Sequence, residues 1–315
     1  MMSADPEQKH EYTSLRVSPE TIPDLITIAE SAFGVQLNKS TLLRKFDTQF
    51  TGAAYLGIIA RNENQFPSAY YGVFPVKVII ENRSYLVAQS GDTMTHKLHQ
   101  GKGLFVRLAK ETYQLAAENG VQLVFGFPNS NSYPGFVKKL NWQHNVDLTK
   151  FSKKIYTLPM AGLAAKYGWI GNCYRLLLSK RLRTRDYFQS SIIASGQNGV
   201  ERDLDYWNYK AYSPNFTFRA AGVKVWAKID GVLQIGDIEY KESADYEKVL
   251  KKIARWAFSR GCHKIVFQCS NDTWLSGILT KNYSSEKGLP VGYVNLTEDF
   301  PAFELKFSLA DFDTF

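Results

Sequence analysis

Gln100-Gly101-Lys102-Gly103-Leu104, inside the stretch THKLHQGKGLF, has the residue types and spacing to hold an anion. An extended run, LVAQSGDTMT, comes before it and a helical one, LFVRLAKETYQLAAE, follows. The first N–H groups of a helix have no intrahelical acceptor, and the helix dipole adds positive potential there. Glycine lets a phosphate come close to the backbone, and Lys102 adds a point charge. Two other phosphate patterns are excluded. No GxxxxGK[ST] occurs, and a GxGxxG begun at Gly101 would need glycine where the chain has Val106. A plain strand-to-helix bend, with glycines that serve only the turn, is the competing reading. Other chemistries find little support. Cys173, Cys262 and Cys269 form no CxxC pair, and their odd, sparse count points to reduced, buried thiols in a cytoplasmic setting. His96 and His99 lack a third ligand nearby, so no metal site is expected. No Ser/His/Asp triad can be assembled from spacing.

The elements around this turn must position it. EYTSLRV reads as a strand. Pro19 to about Phe33 reads as a helix capped by Ser18, with Ile22, Leu25, Ile26 and Ala29 on one face. A short helix is expected around Lys39 to Phe46. The runs AAYLGIIA, SAYYGVFPVKVII and SYLVAQSGDTMT read as strands, with a turn at Asn82-Arg83. The helix from about Gly103 to Glu118 ends at Asn119-Gly120. A buried strand, VQLVFGF, and a turn into a short helix, PNSNSYPGFVKKLNW, complete this half.

A weaker copy follows. LVAQSGDTM (Leu86 on) matches VLQIGDIEY (Val232 on), and AAENGVQLVFGFPNSN (Ala116 on) matches FSRGCHKIVFQCSND (Phe258 on), at an offset of about 141 to 145 residues. The closing run FELKFSLADF alternates as a half-buried strand does. The copy has no glycine loop before its helix. Glu239, Glu242, Asp245 and Glu247 stand there instead, which favours the helix and repels a diphosphate. One anion site per chain is therefore expected, in the first half.

Gln100-Gly101-Lys102-Gly103 resembles the acetyl-CoA pyrophosphate loop of the GNAT acyltransferase superfamily, Q/R-x-x-G-x-G/A. Phe105 stands where Gly or Ala is usual. The ordered set of elements from about Tyr12 to Lys150 is also similar to that family. The resemblance implies an α/β fold of the α+β type with two GNAT-like lobes, each a mixed, mostly antiparallel sheet flanked by helices. The expected division is 1–150 for the acetyl-CoA domain, 151–190 for a basic helical linker and 191–315 for a degenerate second lobe. It further implies that a primary amine attacks the thioester directly, which requires alignment, carbonyl polarisation and two proton transfers. Cofactor contacts implied are Gln100, Gly101, Lys102, Gly103 and Leu104 for the diphosphate and the backbone of Met94, Thr95 and His96 for the pantetheine arm. Asn129 and Asn131 are candidates for the arm or, equally, for helix capping. Val137 occupies the usual position of the acid tyrosine, so Tyr133, one turn earlier, is the candidate acid, against a packing role. Asp92 is the candidate base, against a role in a β-bulge. Gln89 and His96 are further pocket candidates.

By analogy with relatives in surface polysaccharide assembly, the acceptor is expected to be an amino sugar. Two rival readings remain. One is aminoacyl transfer from charged tRNA, as in two-lobed peptidoglycan-bridge enzymes, which the intact loop disfavours. The other is a GNAT-like binding protein without turnover, which Phe105 and Val137 favour.

Composition sets the outer limits. A chain of 315 residues with 44% hydrophobic and 22% charged residues can bury two cores. The polar start MMSADPEQKHEY shows no apolar signal core, and no apolar run approaches the ~20 residues of a membrane helix. The net charge of +8 is concentrated: Lys150 to Arg185 holds nine Lys and Arg and no acid, which leaves −1 for the rest. A helical linker packed between the lobes is the favoured reading of that stretch. Contact with anionic lipid through 160–185 is the alternative, and no nucleic-acid-reading motif appears.

Overall fold

Two long β-strands frame the first half. β3 (Pro67–Ile80) and β4 (Arg83–Thr95) form a hairpin through Glu81 and Asn82, both at positive φ. Side chains alternate along β3 as a strand requires. Tyr70 and Phe74 pack with the helices α1 (Ile22–Phe33) and α2 (Lys39–Phe46), and Tyr71 and Val73 face α3 (Leu104–Glu118). β1 (Tyr12–Arg16) and β2 (Leu56–Asn62) extend this sheet outward from β3. The computed structural model describes residues 12–167, 174, 185–298, 300 and 305–315.

β5 (Leu123–Gly126) runs parallel to β4 but pairs with it only at Ala88↔Val124 and Gln89↔Phe125. Past that point β4 continues to Thr95 while β5 ends, so an edge of β4 is left without a partner strand. Just there β4 carries a bulge: Gly72 pairs with Gly91 and Tyr70 with Met94, so Asp92 and Thr93 together oppose Tyr71. Asp92 takes φ 53°, the left-handed conformation that an Asp tolerates better than most residues.

After the short helix α4 (Tyr133–Leu140), β6 (Gln143–Lys154) leaves its own half. It pairs antiparallel with β11 (Lys264–Cys269), from Lys154↔Lys264 to Thr149↔Cys269. Reciprocally, β12 (Ser284–Asn295) pairs with β5 of the first half, and β6 and β12 pair with each other. β8 (Asn215–Ala220), β9 (Val223–Asp230) and β10 (Val232–Ile238) complete the second half, and β7 (Gly199–Val200) adds to β3. Among the described residues the result is one mixed, mostly antiparallel sheet of twelve strands flanked by helices, eleven of them in the order β1-β2-β3-β4-β5-β12-β6-β11-β10-β9-β8 and β7 off this path beside β3.

Three sequence expectations change. β6 runs through the anticipated boundary at residue 150, because it pairs along both edges, with β11 and with β12, and buries Leu148 and Phe151. Lys150, Lys153 and Lys154 therefore lie on a strand of the sheet: Lys150 pairs with Glu286 at 2.9 Å and Lys153 stands over the Tyr283 ring. The closing run is not a regular strand in its described part. Lys306 and Ser308 make isolated bridges, and a 3₁₀ turn, Leu309–Asp311, follows because the Asp311 carboxylate accepts the Ser308 N–H at 2.7 Å. The last strand is β12 instead, whose glycine, proline and charged residues conceal its pattern. Of the basic stretch, Met160–Lys166 is helical. Trp169, Ile170, Cys173, Arg175, Leu176 to Leu178, Lys180, Arg181 and Arg183 lie outside the described residues. Among the described residues no helix is long and apolar enough to cross a membrane.

Candidate functional site

The anion loop has the conformation its glycines permit. After a 3₁₀ turn, Lys97–His99, Gln100 is extended, Gly101 takes φ 78° and Gly103 takes φ 72° as the residue before α3. A Cβ at either glycine would meet nothing within 4 Å, so neither is there for packing. No side chain caps α3 and no acid stands in its first turn. The first N–H groups of α3, from Leu104 on, therefore have no side-chain cap. Lys102 lies over the Tyr12 ring, 5.6 Å from its centre. Phe105, the departure from the glycine pattern, turns into the protein and meets the Phe136 ring edge-on at 5.3 Å.

The bulge of β4 supplies the next group. The His96 N–H is taken by Ser68 O of β3 at 2.9 Å. Antiparallel alternation then turns Met94 the same way and aims the Thr95 N–H and C=O at the open edge beyond β5. Of the three backbone candidates only Thr95 faces that edge; His96 and Met94 are engaged by β3. The His96 ring instead accepts the Leu98 N–H at 3.3 Å. Thr93, on the bulge, has a buried hydroxyl without a hydrogen-bond partner. Such a group is costly in an isolated fold and is satisfied by a polar ligand.

Asp92 sits in an ion cluster. Its Oδ2 lies 2.6 Å from Lys45 Nζ, which also contacts Asp313 Oδ2 at 2.9 Å. Gln89, buried, donates to Asp313 Oδ1 at 3.3 Å. Burial pushes the Asp92 carboxyl up; Lys45 opposes this and Asp313 adds to it. Lys45 is held above the usual lysine range: its two carboxylate partners outweigh burial, which acts the other way. The bulge reading of Asp92 is the one its backbone shows, and the bulge places its carboxylate against Lys45.

Tyr133 belongs to a different cluster. It begins α4, and its phenol oxygen is 2.9 Å from His144 Nδ1. With Asn129, Ser130, Asp147 and Lys287 these two line an open groove of about 700 Å³ beyond the end of β5. Asn129 is occupied as a turn cap: its Oδ1 accepts the N–H groups of Asn131 and Ser132, each at 3.0 Å. Asn131 is exposed.

Lys45, Asp313, His144, Asp147 and Lys287 were not singled out from the sequence. Lys45 left a signal, because with Leu42 and Phe46 it falls on the buried face of α2. The others come from distant segments joined by the strand exchange and by the 305–315 segment. The two described cysteines are free and buried, with thiols pushed up to about 11 for Cys262 and about 12 for Cys269, as expected of inert thiols.

Residues 15–145 match the model of the acetyltransferase (GNAT) domain family. The matched stretch lies within the first lobe. Over the whole chain the fold is similar to that of solved N-acetyltransferase structures. A GCN5-related N-acetyltransferase from Kribbella flavida superposes with TM-score 0.59 at 12% identity, covering 90% of this chain and 70% of that one. Another, from Anabaena variabilis, gives 0.53 at 11% identity, covering 91% and 73%. A "Probable N-Acyltransferase" of unknown function from Enterococcus faecalis V583 gives 0.58 at 15%, covering 90% and 73%. These likenesses establish the fold and extend it over both lobes. No curated protein matches the chain.

Proposed function

We propose that the GNAT lobe transfers an acetyl group from acetyl-CoA to a primary amine by direct attack on the thioester. The observation that carries this reading is the start of α3: uncapped, free of acids and fronted by two open glycines at positive φ. Gln100 to Leu104 hold the diphosphate there. Thr95 and Thr93 meet the pantetheine arm at the edge of β4. Asp92 is the base, its proton affinity increased by burial. Tyr133 is the acid for the departing thiolate. The acceptor is proposed as an amino sugar: the groove beyond β5 has the room, and its hydroxyl, amide and charged side chains suit a polyhydroxy amine. Aminoacyl transfer leaves the open loop unexplained, and binding without turnover is told apart from transfer by thiol release. Calorimetry with acetyl-CoA, followed by thiol release with glucosamine, tests the proposal. Saturable binding and amine-dependent thiol release are expected; folded protein that binds no acetyl-CoA overturns it.

A further inference from the structure

The groove beside Tyr133 holds a chain of side chains that the loop and the bulge do not require. His144 Nδ1 is 2.9 Å from the Tyr133 phenol, and the two rings meet edge-on at 87°. On its other side, His144 Nε2 is 3.9 Å from Asp147 Oδ1. Asp147 Oδ2 in turn pairs with Lys287 Nζ at 2.7 Å. Tyr133 comes from α4, His144 and Asp147 from β6, and Lys287 from β12 of the other lobe. The packing of α4 does not need the polar link, because Phe136 and Leu140 bury its inner face.

Resting on the acetyl-transfer reading, we propose that His144 is the positioning residue for Tyr133 and that the second lobe holds it in place through Lys287 and Asp147. A neutral imidazole with a bare Nδ1 draws the phenol O–H towards itself, away from the groove. An imidazolium reverses the bond. Its Nδ1–H donates to the phenol oxygen, the O–H turns into the groove, and a developing phenolate is stabilised. As the C–S bond of the tetrahedral adduct breaks, the thiolate takes the phenol proton and the phenolate takes the Nδ1 proton. The half-exposed imidazole regains a proton from solvent. One proton leaves the acceptor nitrogen for each one delivered to sulfur. Beside His144 stand the titratable groups of Tyr133, Asp147 and, through Asp147, Lys287. Asp147 stands at the Nε2 side of the ring, and Lys287 fixes Asp147 from the second lobe.

The experiment combines acetyl-CoA calorimetry, thiol release with glucosamine from acid to alkaline pH, and NMR titration of the imidazole. His144→Phe is expected to bind acetyl-CoA like the parent but to lose about tenfold or more in kcat. His144→Gln, which keeps an N–H for the phenol, is expected to recover much of that loss. Lys287→Ala should lower kcat while acetyl-CoA binding is retained, because Asp147 is then no longer held beside the ring. The His144 ring resonances should differ from the parent's in Tyr133→Phe and in Lys287→Ala. A turning-over parent whose kcat and pH profile are unchanged by His144→Phe overturns the role of His144 alone. A parent that binds no acetyl-CoA overturns the acetyl-transfer reading beneath it. Where acetyl-CoA binds but glucosamine is not a substrate, the NMR arm decides: unaltered His144 ring resonances in both variants overturn the link.

Discussion

The two lobes share one device and use it differently. Each has a Gln-x-Gly-Asp run on its fourth strand, Gln89 to Asp92 and Gln234 to Asp237, and each is bulged there. In each, the aspartate pairs with a buried cation that also holds an aspartate from the 305–315 segment. Lys45 joins Asp92 to Asp313, and Arg202 joins Asp237 to Asp311. The segment also touches both bulge glycines, with Asp313 over Gly91 and with Ala310 and Phe315 over Gly236. The difference is access. Asp92 keeps a quarter of its side chain exposed, whereas Arg202, Asp237 and Asp311 are at 0–1%. In the second lobe the chain itself fills the space beside β11: Ser270 N–H donates to Phe307 O and Ser308 bridges Cys269. Its helix Tyr246–Phe258 is likewise closed, since the Asp245 carboxylate accepts the Lys248 N–H at 3.0 Å. A bulge with a paired carboxylate thus serves as structure where the chain covers it, and becomes available for chemistry where it stays open.

Breaking the closed cluster should cost most. Arg202→Ala leaves two buried carboxylates without a cation, and denaturant unfolding should show a loss of about 3–5 kcal/mol. Lys45→Met should cost less, about 1–2 kcal/mol, because water reaches Asp92. Equal losses would show that the clusters do not differ in access.

The helix starts can be contrasted directly. Gly103→Glu places a carboxylate at the open end and should weaken acetyl-CoA binding by about a hundredfold or more, read by calorimetry, with the fold retained by circular dichroism. Asp245→Ala in the second lobe should lower stability by about 1 kcal/mol through loss of the cap and leave that binding unchanged. A Gly103→Glu protein that binds like the parent removes the loop assignment.

Asp92→Asn asks whether the open bulge works as a base. Turnover should fall about tenfold, most at low pH where free amine is scarce. A uniform loss at every pH would leave Asp92 with a structural part only.

A third cation sharpens the comparison. Lys210 is buried and donates to the Phe312 carbonyl at 2.5 Å, with no carboxylate in direct contact. Burial pushes it down to about 7, opposite to Lys45 and Arg202, which carboxylates raise. The unfolded chain holds this proton up to about pH 10.5 and the folded one only to about pH 7, so the penalty of the buried charge is complete below pH 7. Stability should therefore rise with pH above 7. Relative to Lys210→Met, the parent should gain up to about 2 kcal/mol between pH 7 and 9 in parallel denaturant titrations. A constant difference would show that Lys210 stays charged in the fold.

Local order was largely legible. The strands from β1 to β5, α1 to α4, the Asn82 turn and the loop at Gly101 and Gly103 follow from period, caps and turn residues acting over a few positions. Even Lys45 lay on a readable helix face. His144, Asp147, Lys287 and Asp313 carried no local mark, because a polar residue on a half-buried strand looks the same whichever strand it pairs with.

The sequence by itself determined the elements from β1 to α4, the repeat and the asymmetry between a glycine-opened helix and an acid-capped one, since these depend on neighbours along the chain. Only the tertiary structure decided that β6 and β12 exchange partners and that the 305–315 segment lies between the two bulges. Antiparallel pairing is set by hydrogen bonds and burial between strands far apart in sequence, and any two edges of suitable polarity satisfy the same local pattern. That choice placed residues of the second lobe beside Tyr133 and Asp92, where the proposed chemistry occurs.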